Sequence, residues 1–118
     1  MVLALMKFFI PPERRAEAVE ILRSMQGRLE ICPDYLGSSI VERDEPCSHI
    51  IYSEQWNSEE AVFKHIQSKL YRRVLAVIEL STRPPMVTFY FVLATTGMEL
   101  IEALRGERQC VQELNPSV

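Results

Sequence analysis

Residues 2–10, Val-Leu-Ala-Leu-Met-Lys-Phe-Phe-Ile, form a β-rich run whose two alternating faces are both apolar. Val2, Ala4, Met6 and Phe8 share one face, and Leu3, Leu5 and Phe9 the other. A strand with one wet face needs only one apolar side. A strand apolar on both sides needs cover on both. Residues 86–94, Met-Val-Thr-Phe-Tyr-Phe-Val-Leu-Ala, repeat the pattern near the other end of the chain. Whatever fold contains these two strands must therefore shield both sides of its sheet.

The stretches between them supply the other elements. Pro11-Pro12 ends the first strand and suits a helix start, where a missing N–H costs nothing. Residues 13–29 then place Ala18, Leu22, Met25 and Leu29 on one helical stripe. Pro33 closes the connection, and residues 35–43 read as a strand. Asp44-Glu45-Pro46-Cys47 is turn chemistry, so residues 48–56 return as the second arm of a hairpin. Asn57 or Ser58 caps the next helix, and Asn57-x-x-Glu60 has capping-box spacing. Ser68 marks a second helical start, with Leu70, Val74, Val77 and Ile78 as its buried stripe. Pro84-Pro85 leads into the last strand. Thr96-x-x-Glu99 caps a short final helix with Leu100, Ile101 and Leu104 on its apolar side, and Gly106 is expected to end it.

The predicted order is β-α-β-β-α-β plus a terminal helix, an α+β ferredoxin-like arrangement. Residues 1–106 form one domain, and residues 107–118 a polar C-terminal tail. Four strands with long helices on one face leave the other face open, and several exposed Leu, Phe and Val exceed what monomers tolerate. The cheapest cover is a second copy, sheet against sheet, giving a homodimer in which two sheets close a dimeric α/β barrel. The space between those sheets is expected to hold a small-molecule pocket.

Composition narrows the classes of function. The 118 residues are 47% hydrophobic and 25% charged, with a formal charge of -3, so the basic footprint of a nucleic-acid binder is missing. Arg72-Arg73, the densest internal basic pair, reads as a solvated helix face. Cys32, Cys47 and Cys110 are odd in number and lack C-x-x-C spacing, which signals neither a disulfide framework nor a zinc site. The apolar start is interrupted by Lys7 and stopped by two prolines, so neither a signal peptide nor a membrane span is expected. A cytoplasmic location follows.

The functional signal sits where the second hairpin arm meets the next helix, in Glu54-Gln55-Trp56-Asn57-Ser58-Glu59-Glu60-Ala61. The only tryptophan lies at that junction, with His65 and Tyr71 following at helical spacings. Tyr52, Glu54 and Trp56 share one strand face. Glu54 is costly to bury unless it is protonated or paired with a base such as Lys7 or an Arg, and is unremarkable if that face looks outward. Trp56 reads equally as a core aromatic. His65 is a half-buried helix residue in most folds, Tyr71 suits core packing against Leu75 and Ile78, and His49 beside a turn reads as a surface residue.

The pattern Glu54-x-Trp56-x-Ser58-x-x-Ala61-x-x-x-His65-x-x-Ser68-x-x-Tyr71, together with the element order, resembles the antibiotic-biosynthesis monooxygenase family over about residues 1–95. The resemblance implies a dimeric α/β barrel that oxidises electron-rich quinol- or anthrone-like aromatics with O2, using no flavin, haem or metal. Carried over by position, Trp56 walls the pocket and offers its indole N–H to substrate or peroxide, and His65 serves as acid or base. Glu54 joins them as a catalytic residue, with Tyr52 and Tyr71 binding substrate. Haem-degrading relatives use an Asn on the first strand, which has none here, so haem breakdown is disfavoured. Many relatives carry Pro-Gly where this chain has Pro33-Asp34-Tyr35, which alters the expected pocket entrance. The rival readings are a non-catalytic small-molecule-binding or stress-response dimer using the same cavity, and a structural oligomerisation domain.

Overall fold

The structure, a computed structural model, describes the backbone of residues 1–113 and the side chains of residues 1–106. The chain runs β1 (Val2–Phe8), α1 (Pro12–Leu29), β2 (Tyr35–Arg43), β3 (His49–Trp56), α2 (Glu59–Gln67), α3 (Arg72–Leu80), β4 (Met86–Phe91) and α4 (Met98–Glu113). The strands form one antiparallel sheet in the order β2-β3-β1-β4, the ferredoxin-like arrangement expected from the element order.

β1 and β3 are the two inner strands, and their register puts Val2 opposite Trp56, Ala4 opposite Glu54 and Met6 opposite Tyr52. All six side chains are buried on the same side of the sheet. The predicted stripe of α1 is the surface that packs there, with Ala18, Leu22, Met25 and Leu29 buried together with Val19. Val62 of α2 and Val74 and Val77 of α3 complete the core. The end of β1 is tied to the end of α3: the Phe9 N–H donates to Ser81 Oγ at 3.0 Å, and the Thr82 N–H to the Phe9 carbonyl at 2.8 Å.

Local chemistry resolves one open boundary and corrects two others. Ser58, not Asn57, caps α2: it is extended, and its Oγ accepts from the Ala61 N–H at 3.2 Å. Asn57 instead donates its backbone N–H to the Asp34 carbonyl at 2.8 Å, which pins the α1–β2 loop to the end of β3. Ser68 closes α2 rather than beginning α3. Its hydroxyl donates to the His65 carbonyl at 2.6 Å and accepts from the Tyr71 N–H at 3.3 Å, so the chain turns there before α3 starts at Arg72. Gly106 does not end α4, whose backbone continues to Glu113. One helical glycine costs only about 1 kcal/mol, and no proline follows until Pro116. The remainder of the expected tail and the Cys110 side chain lie outside the described residues.

The second side of the sheet is open. Leu5, Val41, Met86 and Tyr90 point there and are 37–61% exposed, beside the half-buried Leu3 and Ile51. The apolar side of α4, Leu100, Ile101 and Leu104, is exposed as well. No helix among the described residues is long and apolar enough to cross a membrane.

Candidate active site

Strand alternation delivers Tyr52, Glu54 and Trp56 to the helix-covered side of β3, and α2 lays His65 across them. The Glu54 carboxylate is 1% exposed and accepts three hydrogen bonds. Tyr52 donates its hydroxyl to Oε2 at 2.5 Å, Trp56 donates Nε1–H to Oε1 at 3.0 Å, and His65 Nε2 meets Oε2 at 3.0 Å. An ionised carboxylate only accepts, so His65 Nε2 carries the proton in that bond. Nδ1 is then the acceptor nitrogen of the neutral ring. It has no partner within the described residues and is not sealed off from solvent.

Aromatic packing holds the imidazole in place. The Trp56 ring lies 4.9 Å from His65 at a 31° tilt, and Tyr71 packs against the imidazole in a T-shaped contact at 5.0 Å. Tyr35 in turn packs edge-on against Trp56 at 5.5 Å. A bulge in β2 between Tyr35 and Gly37 makes this possible, bringing Tyr35 opposite Trp56 and Ser38 opposite Glu54. Gly37 has φ 153°, a conformation that side-chain-bearing residues rarely adopt. Ser38 Oγ bonds the Tyr35 hydroxyl at 2.5 Å and accepts from Gln26 Nε2 at 2.7 Å, joining α1 to the cluster.

Burial drives the Glu54 carboxyl upward, but the donors from His65, Tyr52 and Trp56 outweigh it and hold the group below the usual carboxylate range. Desolvation, reinforced by the Glu54 charge, pushes the Tyr52 phenol far up and Tyr71 up to about 12, so both stay protonated at neutral pH. The Glu54 shift predicts a pH dependence. A carboxylate depressed in the folded state contributes stability that is complete above its unfolded value of about 4.3 and is lost as pH falls through the folded value. The stability gap between the native chain and Glu54→Gln, measured by urea unfolding, should therefore narrow as pH drops from about 5 toward 3. A gap that widens in acid contradicts this assignment.

The cluster backs a cavity of about 470 Å³ at the end of β3, bounded by Leu29, the Cys32-Pro33-Asp34 loop, Ala61, Lys64, Ser68 and Leu70. That volume suits a small organic molecule. Trp56 and His65 line it, whereas Tyr52 and Glu54 stand behind them and Tyr71 supports the imidazole. The cavity lies between the sheet and the helices of one chain. The burying surface is the one that α1 and α2 cover, and the turn at Ser68 leaves a gap beside it.

Other expectations change for equally local reasons. The basic partner of Glu54 is His65. Lys7 alternates onto the opposite face, and its ammonium sits over the Phe9 ring at 5.4 Å. The Trp56 N–H is committed to Glu54 and is not free for substrate or peroxide. His49 is buried, with Nδ1 2.7 Å from the Cys47 carbonyl. The cavity contributions of Cys32, Asp34 and Lys64 were not foreseen. The departure at Pro33-Asp34-Tyr35 was the available signal, since that loop does line the cavity. Tyr35, Ser38 and Gln26 were also missed, because they join the cluster through the bulged register. No group of three or more His, Cys, Asp or Glu among the described residues is placed to hold a metal ion.

An α+β sheet of order β2-β3-β1-β4, with a buried carboxylate–imidazole pair behind a partly open cavity, defines a small ferredoxin-like protein. The chain belongs to the antibiotic biosynthesis monooxygenase family, whose model matches residues 1–77 and so spans every element of the site. Solved structures share the fold. A Mycobacterium tuberculosis protein is 23% identical with TM-score 0.68, covering 81% of this chain and 98% of its own. A Deinococcus radiodurans protein named for the same monooxygenases is 16% identical with TM-score 0.70, covering 82% and 97%. SnoaB, a cofactor-independent oxygenase of Streptomyces nogalater, is 13% identical with TM-score 0.66, covering 80% and 94%. No curated protein sequence matches the chain. At these identities the likeness establishes the fold.

Proposed function

We propose that the chain is a cofactor-independent monooxygenase that oxidises quinol- or anthrone-like aromatics with O2. The observation that carries this reading is His65, which lines the cavity with Nε2–H anchored on buried Glu54 and with no partner for Nδ1 among the described residues. A base held in this way accepts a substrate proton at Nδ1, and the carboxylate stabilises the imidazolium that results. Trp56 and the apolar wall of Leu29, Ala61 and Leu70 accommodate a flat ring.

For an anthrone, His65 removes a proton from the reactive methylene, leaving a delocalised anion. That anion passes one electron to O2, and the radical pair combines to a carbon-bound peroxide. His65 returns its proton to the peroxide. Loss of the remaining carbon-bound hydrogen with cleavage of the O–O bond then forms the ketone and releases water. One oxygen atom enters the product, the other leaves as water, and the four electrons lost by carbon match the four gained by O2. The test is oxygen uptake across a panel of hydroquinones and anthrones, with an anaerobic control. Tight ligand binding without oxygen consumption would instead make the chain a binding protein, the alternative that uses the same cavity.

The functional unit in this reading is a homodimer joined through the open sheet face. Leu5, Val41, Met86 and Tyr90 form an apolar surface that water disfavours, and a two-fold copy covers it with the same residues. Light scattering should return twice the 13.6 kDa chain mass, and Leu5→Glu should shift the protein to monomer. A native chain that stays monomeric at micromolar concentration rejects the dimer.

A further inference from the structure

The basic pair Arg72-Arg73 does not end on a simple solvated helix face. With Arg28 and Lys69 it lines a groove of about 460 Å³ between α1 and α3. None of these four side chains makes an ion pair or a hydrogen bond among the described residues. The sequence explains why. The positions three and four residues away on the same helices are Ser24 and Met25 for Arg28, and Leu75, Ala76 and Val77 for the arginine pair, so no helical neighbour supplies an acid. Glu20 lines a different groove, and Glu30 is not among the residues that line this one. Ser24 adds no counter-charge, since its hydroxyl is spent on the Ile21 carbonyl at 2.6 Å.

Four unpaired cations around one concavity are unusual in a chain of net charge -3, because like charges held together repel. Arg73 sharpens the point. It is half-buried, and its Nη1 is shut off from solvent with no hydrogen-bond partner. An unpaired buried guanidinium N–H carries a desolvation cost that a nearby anion offsets by neutralising the charge. Planar guanidinium groups suit the oxygens of a phosphate, which they bind through paired N–H donors. The groove is shallow and open, and Ile21, Leu70 and Ala76 give it an apolar part that accommodates the organic part of a ligand.

We propose that the α1–α3 groove binds the phosphate group of a small soluble phosphate ester or diphosphate through Arg28, Lys69, Arg72 and Arg73. The site is distinct from the cavity at His65, although Leu70 lines both. It does not rest on the oxygenase reading.

The test is calorimetric titration of the full chain with inorganic pyrophosphate at fixed ionic strength. Saturable binding is expected, weakened at least about tenfold in each of Arg28→Gln and Arg72→Gln, because a charge-assisted contact worth about 1.4 kcal/mol or more is lost. Both positions are exposed, so folding is preserved independently of the partly buried Arg73. Arg73→Gln should weaken binding at least as much. Absence of saturable binding, or equal affinity in all variants, overturns the proposal. So does binding to phosphatidic acid vesicles without binding of pyrophosphate, which would make the groove a membrane-facing surface.

Discussion

Replacing Glu54 with alanine is expected to cost the fold about 3–5 kcal/mol, since loss of this buried carboxylate strands several buried donors at about 1–3 kcal/mol each. The size follows from the number of donors stranded together. Tyr52 O–H, Trp56 N–H and His65 N–H all converge on this one carboxylate, and Tyr52, Trp56 and His65 are themselves buried. With the carboxylate gone, each donor loses its acceptor where water does not readily replace it. A domain of this size has about 5–15 kcal/mol of stability in total, so the alanine variant should lose a large share of it. Glu54→Gln retains the side-chain volume and one carbonyl acceptor, and should cost less, about 1–3 kcal/mol. Urea unfolding of the three proteins at neutral pH measures both differences. A cost below about 1 kcal/mol for Glu54→Ala would mean that the cluster is hydrated and not closed.

His65→Ala should lower kcat for oxygen uptake by about 10²–10⁴-fold, the range that general acid–base catalysis contributes. KM should change far less, because the cavity walls at Trp56, Leu29 and Leu70 remain. On the oxygenase reading, the imidazole is preorganised by Trp56, Tyr71 and the Glu54 carboxylate at Nε2, so the substituted chain lacks a base already held in place. His65→Gln provides the control for folding, since its amide can still donate to Glu54 while lacking a basic nitrogen. If both variants turn over within about threefold of the native chain, His65 is not the base. A KM effect with kcat preserved would reduce it to a substrate contact.

Much of this site is legible in local pattern. Period-two alternation places Tyr52, Glu54 and Trp56 on one face, since successive side chains of a strand point to opposite sides. The stripe Ala18, Leu22, Met25 and Leu29 identifies the packing face of α1 in the same way, and all four are buried. The order of strands and helices was equally readable, because prolines and turn residues punctuate it. The choice between Asn57 and Ser58 as helix cap shows the limit. Asn57 and Ser58 have similar intrinsic capping ability, and the choice was settled by a bond to Asp34 from a distant loop.

Which face of β3 looks inward depends on the helices that cover it, and no residue of the strand encodes that. The same is true of the base for Glu54. Lys7 and His65 are both reasonable partners in a linear chain, but β1 turns Lys7 away while the crossing of α2 over the sheet brings His65 to 3.0 Å. The cationic groove needs two helices, since Arg28 lies on α1 and Arg72 and Arg73 on α3. Alternation and helical periodicity are set by backbone geometry within a few residues, so the order of elements and the shared face of Tyr52, Glu54 and Trp56 could be read from the chain. Contacts between elements arise when the core packs, and that packing alone joined Glu54 to His65 and drew the four cations around one recess.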